Sequence, residues 1–187
     1  MNIDEIIQNI LINELSLPMD YGKDKDGFIV PSCYVYAPNI SIGKTDKLQI
    51  CIQSINSRIL SNNNSYKEID NEFSEIQEII LNDTIQIDVF SSSDEAKNRW
   101  GEVVSALHSL YCQYMQEKHH FRVFQIPNNV KNTSSVEGSA RLYRWTITIQ
   151  VNHKKQYVKN ADYYDKFKFE YGIDTMENKK QFEIPQN

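Results

Sequence analysis

The stretch from Thr84 to Glu117 constrains the fold more than any other part of the chain. Ile85, Ile87 and Val89 alternate with Gln86, Asp88 and Phe90, the period-2 pattern of a strand with one buried face. Ser91-Ser92-Ser93 interrupts the alternation, and Ser92 with Glu95 has the spacing of a capping box. Asp94 and Glu95 place negative charge where the helix dipole favours it. Ala96, Trp100, Val103, Leu107, Leu110 and Tyr114 then recur on one helical face, widened by Val104 and Tyr111. The pattern predicts one helix from Asp94 to Glu117, roughly 36 Å long at about 1.5 Å per residue.

The flanking sequence supplies partners for this unit. Ile3, Ile6, Ile7, Ile10 and Leu11 form the stripe of a first helix, capped by Asn2 with Glu5 in the reciprocal position and closed by Pro18. Residues 20–27 read as a polar turn; they resemble part of a calcium loop, but Gly22 and Cys33 stand where ligands should be. Phe28 to Tyr36 reads as extended, with Pro31 and Pro38 restricting it to an edge or an irregular strand. Gly43-Lys44-Thr45 lacks the first glycine of a phosphate loop, since Pro38 occupies that place, so a turn is the better reading.

Leu48, Ile50 and Ile52 alternate as a strand, and the apolar phase then shifts to Ile55 and Ile59, as a bulge or the end of core contact would produce. Residues 61–65, Ser-Asn-Asn-Asn-Ser, read as a loop, so 48–60 and 75–90 are expected to be two long strands with a protruding hairpin near 61–75. A helical turn within Glu68–Ile80 fits the spacing of Ile69, Phe73, Ile76 and Ile80 as well. Phe121–Ile126 is a short strand, Pro127–Gly138 a polar loop, and Leu142–Val151 the cleanest strand: Tyr143, Trp145, Ile147, Ile149 and Val151 point one way, Arg144, Thr146, Thr148, Gln150 and Asn152 the other. The expected class is α+β, a mainly antiparallel sheet with an N-terminal helix and one long helix on one face. A single domain spans 1–155, and 156–187 forms an aromatic, charged arm.

The 187 residues carry a net charge of −5, which does not suit a protein that coats nucleic acid through a basic face. Three cysteines without a CxxC pair do not make a disulfide framework. No apolar run approaches the ~18 residues of a membrane span, and no signal peptide is expected.

Candidate chemistry is sparse. His108 and Cys112 share a helical face, but further metal ligands would have to come from His119, His120, Cys33, Cys51 or His153, none helpfully spaced; a packed pair is the simpler reading. Asp88 with Asp94 and Glu95 can make an acidic site, against the plainer reading of strand-end solvation and helix capping. Arg99 and Arg144 are better candidates for contact, because Arg is enriched among interface anchors. Tyr157, Tyr163, Tyr164 and Phe167 join them, since a stretch so rich in aromatics after the last clean strand marks a contact surface.

Taken together, residues 85–90, the serine turn, Asp94-Glu95-Ala96 with Arg99 opening a helix, the later Gly138…Tyr143-Arg144-Trp145 strand and the Tyr163-Tyr164-Asp165 patch resemble tail-terminator and neck-terminator proteins of tailed phages. The resemblance spans roughly Leu48 to Phe169. It implies a structural virion protein: a small α+β subunit forming a ring, usually of six, at the neck, which ends the tail and joins it to the head connector. It implies no catalytic residue and no cofactor, with partners limited to other copies, the connector and the tail, and DNA only as it passes through the lumen. The competing readings are a small cytoplasmic enzyme and a ligand-binding adaptor.

Overall fold

The computed structural model of the chain describes residues 2–38, 45–69, 72–125, 130–137 and 140–160. The elements follow as α1 (Ile3–Glu14), β1 (Asp20–Lys23), β2 (Ile29–Pro31), β3 (Cys33–Val35), β4 (Gln49–Ile69), β5 (Glu72–Ser91), α2 (Glu95–Leu107), α3 (Leu110–His119), β6 (Phe121–Gln125), β7 (Lys131–Asn132), β8 (Ser135–Glu137) and β9 (Ala140–Asn160). The main sheet has the order β3-β4-β5-β9-β6, and β7 and β8 also pair with β9. β3 lies parallel to β4, with Cys33 opposite Ile50, whereas β6, β7 and β8 are antiparallel to β9. Ser57 bonds Asp83 and Asn64 bonds Glu75; numbers rise on β4 as they fall on β5, so this pair is antiparallel too. The protein is α+β with a mainly antiparallel sheet, as the sequence predicts.

Two compact units share the long strands: residues 2–63 with 78–156, and residues 64–77 with 157–160. The first holds the core. All five residues of the α1 stripe are buried, and Leu48, Ile50, Ile52, Ile85, Ile87, Val89, Ile147, Ile149 and Val151 are each 0% exposed. Burying one such side chain fully is worth about 1.5–3 kcal/mol, so these strand positions dominate the stability of the sheet. Ala96, Val103 and Leu107 of α2 and Cys112 and Met115 of α3 complete the cluster. Trp100 of α2 stacks on Trp145 of β9, with ring centroids 5.3 Å apart and planes at 22°. At the start of α1 the Asn2 N–H donates to the Glu5 carboxylate at 3.2 Å, the reciprocal half of a capping box.

Several expectations are corrected. The long helix is two helices. Ser109 stops it: its hydroxyl accepts the Cys112 N–H at 3.0 Å and caps α3, while His108 ends α2. A serine within an apolar run offers the backbone this alternative. The stripe therefore ends at Leu107, and Leu110 and Tyr114 are 82% and 55% exposed. The Ser92–Glu95 capping box does not form either. Ser91 Oγ accepts the Ala96 N–H at 2.9 Å. Glu95 accepts the Leu48 N–H at 3.0 Å, tying the start of α2 to the start of β4.

Residues 61–65 lie within β4 rather than in a loop, and no helical turn forms in 72–80, which belongs to β5. Cross-strand bonding compensates for poor strand formers: Asn64 Nδ2 donates to Glu75 at 3.1 Å. The phase change after Ser54 is real. Core contact ends there: Ile50 and Ile52 are buried, whereas Ile55 and Ile59 are exposed, and Ser57 bonds Asp83 of β5. The 127–138 loop contains β7 and β8. β9 does not end at Val151 but continues to Asn160, so Tyr157 is a strand residue. Of the polar turn expected at 20–27, residues 20–23 form β1 and only the part from Asp24 onward is the bend of the β1–β2 hairpin, in which the Asp24 carboxylate accepts the Asp26 and Phe28 N–H groups at 3.0 and 2.9 Å. Gly43-Lys44 and the arm from 161 onward lie outside the described residues.

Candidate functional site

The face of the sheet opposite the helices carries a polar cluster built by parity. Asp88 and Gln86 take the outward positions of β5, and Arg144 and Thr146 those of β9. Asp88 is 5% exposed. Its carboxylate accepts the Gln86 amide at 2.8 Å, the Thr146 hydroxyl at 2.6 Å and the Arg144 guanidinium. Burial works to raise the Asp88 pKa, but the hydrogen bonds from Arg144, Thr146 and Gln86 outweigh it and hold the carboxyl below the ordinary aspartate range. Arg144 is correspondingly raised, chiefly by its bond to Asp88. Its side chain stays 42% exposed. The Arg144 carbonyl accepts the Thr133 N–H at 2.9 Å, which brings the β7–β8 connection beside the cluster.

This arrangement fixes a pH dependence. A carboxyl held below its unfolded value of 3.8 stabilises the fold above that pH, and the contribution is lost as pH falls through the lowered value. Asp88→Asn is expected to cost about 1.5–3 kcal/mol at neutral pH, the range for a hydrogen bond to a charged group. It is also expected to flatten the loss of stability below pH 4. Urea unfolding of both forms at pH 7 and pH 3 measures this, and an equal loss on acidification in the two forms is the contrary outcome.

The other predicted site residues lie apart. Arg99 of α2 is engaged along its own helix, with Glu102 at 2.8 Å and Glu95 at 3.9 Å. Such exposed pairs contribute a few tenths of a kcal/mol. Tyr157 is 49% exposed on β9, in the second unit. Tyr163, Tyr164 and Phe167 lie outside the described residues. His108 and Cys112 are separated by the helix break: His108 is exposed, and the buried Cys112 thiol is raised by burial. Burial raises Cys33 and Cys51 likewise, which keeps these thiols protonated and unreactive. Among the described residues no three His, Cys, Asp or Glu side chains cluster as metal ligands. No described helix is long and apolar enough to cross a membrane.

A second surface is defined by β4. β3 pairs with it only at Ile50–Ile52. From Ser54 to Asn63 every residue is exposed, including Ile55 at 50%, Ile59 at 63% and Leu60 at 49%. Beyond Ile52 the outer edge of β4 has no neighbouring strand among the described residues. The sequence hinted at this surface only through its change of apolar phase. Parity on adjacent strands was the available signal for the Asp88–Arg144 pair, which reading each strand alone does not reveal.

Comparison with known proteins finds no family model that matches this chain and no match among curated proteins.

Proposed function

We propose that the chain is a structural subunit of a tailed-phage neck. In this reading copies assemble into a ring that ends the tail and joins it to the head connector. The observation that carries it is the exposed stretch of β4, whose outer edge beyond Ile52 has no neighbouring strand among the described residues. Strands in globular proteins usually have about 5–6 residues, whereas β4 has 21. Its exposed part sets Ile55, Ile59 and Leu60 along an edge open among the described residues, and an exposed apolar edge with little guarding charge is a template for another strand. Arg58 is the one charged residue between Ser54 and Asn63. A neighbouring copy would cover this edge, and the resemblance of residues 48–169 to neck terminators names the assembly. The chemistry of such a protein is interface chemistry, and Arg144 belongs to it as the partly exposed end of a cluster that braces β5 and β9.

Native mass spectrometry and negative-stain imaging of the purified chain test the reading. A closed ring of about six copies is expected, either alone or on addition of connector and tail complexes. A chain that stays monomeric at high concentration and binds neither complex would overturn it.

A further inference from the structure

A second buried polar cluster lies on the helix-bearing side of the sheet, at the first turn of α1. Asp4 points inward there and is 6% exposed, and its Oδ1 meets no donor among the described residues. Across from it, His153 Nε2 of β9 lies 2.6 Å from Asp83 Oδ2 of β5, with both side chains at most 10% exposed. Ser57 of β4 donates its hydroxyl to the other Asp83 oxygen. Asp83 is thus bonded through both oxygens, and its charge acts on Asp4, whose Oδ1 is unused. The charged and titratable groups that act on Asp4 are Asp83, His153, Glu5 and Lys155.

A buried carboxylate with a spare oxygen next to a second carboxylate is costly as an anion. As a neutral acid the same group becomes an O–H donor. We propose that this junction is a proton-controlled latch: Asp4 holds a proton when α1 is docked on the sheet, and the helix loosens when that proton is lost. The latch would govern access to the apolar face that Ile3, Ile6, Ile7, Ile10 and Leu11 cover.

The sign follows from linkage. Burial, and next the Asp83 charge, raise the Asp4 pKa above 3.8 in the docked state, against the opposing effect of His153. The docked helix then binds one proton more than the undocked one over the window from 3.8 up to the raised value. Docking is strongest below that window, weakens by up to about tenfold per pH unit within it, and levels off above it.

Hydrogen exchange of the α1 amides between pH 4 and 8, corrected for intrinsic rates, tests the proposal, with the β9 amides in the same samples reporting the fold as a whole. The wild-type chain is expected to lose α1 protection across the window while β9 protection holds. Asp4→Asn, which carries a neutral donor of the same shape, is expected to abolish the slope and to retain more α1 protection at pH 8. His153→Gln removes the opposing charge and is expected to move the upper end of the window to higher pH. An unchanged slope in Asp4→Asn, or an unmoved window in His153→Gln, overturns the latch.

Discussion

Leu107→Ala is expected to lower the free energy of unfolding by about 2–5 kcal/mol, the range for emptying a leucine site in a packed core. Leu110→Ala, three residues further along the same apparent stripe, is expected to change it by less than about 0.5 kcal/mol. The contrast rests on exposure. Leu107 is 2% exposed at the end of α2, whereas Leu110 is 82% exposed at the start of α3. A continuous helix would bury both, because positions i and i+3 share a face. Chemical denaturation of the two variants therefore reads the helix break directly. Similar losses in both would mean that the stripe runs unbroken through His108 and Ser109.

The second large effect concerns assembly. Ile55→Glu with Ile59→Glu places two charges on the exposed part of β4. Both isoleucines are at least half exposed, so the isolated subunit is expected to keep its thermal midpoint within about 2–4 °C, as a change below about 1 kcal/mol implies for a domain of this size. If copies assemble as proposed, ring formation is expected to be lost, since a charge on an edge strand is the standard obstacle to adding another strand. Negative-stain imaging and melting curves of the same preparation separate the outcomes. Rings that form as in the wild type would remove β4 from the interface, and a collapsed melting point would mean that this stretch belongs to the core.

Much of the fold can be read from single-strand and single-helix periodicity. The α1 stripe, the alternation at 85–89 and that at 147–151 each translate into buried positions, because burial on one face leaves a local signature. What stays hidden is set by hydrogen bonds whose partners are far apart in sequence. Ser109 carries no sign that it will cap rather than continue a helix, and Ser92 and Ser93 bond backbone carbonyls 47 positions away instead of making a local box. The Asn-rich stretch reads as a loop by composition, but the partner strand overrides that preference, as Asn64 and Glu75 illustrate. The same reason conceals the polar clusters. Asp88 with Arg144, and Asp83 with His153, are separated by 56 and 70 positions. Each becomes a pair only once β5 and β9 lie side by side.

The bonds at the base of the β4–β5 hairpin bear on how this chain tolerates change. Glu95 holds the Leu48 N–H, and the Ser92 and Ser93 hydroxyls hold the Thr45 and Asp46 carbonyls. Every residue of both strands lies between these fasteners, so the hairpin is a loop tied at its root by polar bonds at the edge of the core. The entropic cost of closing a loop grows only logarithmically with its length, by about 0.6 kcal/mol per doubling. Paired insertions or deletions towards the tip would therefore alter the reach of the hairpin while leaving the root almost untouched. Length changes confined to 64–77 would leave the buried positions of the two strands, Ile50, Ile52, Ile85, Ile87 and Val89, in place.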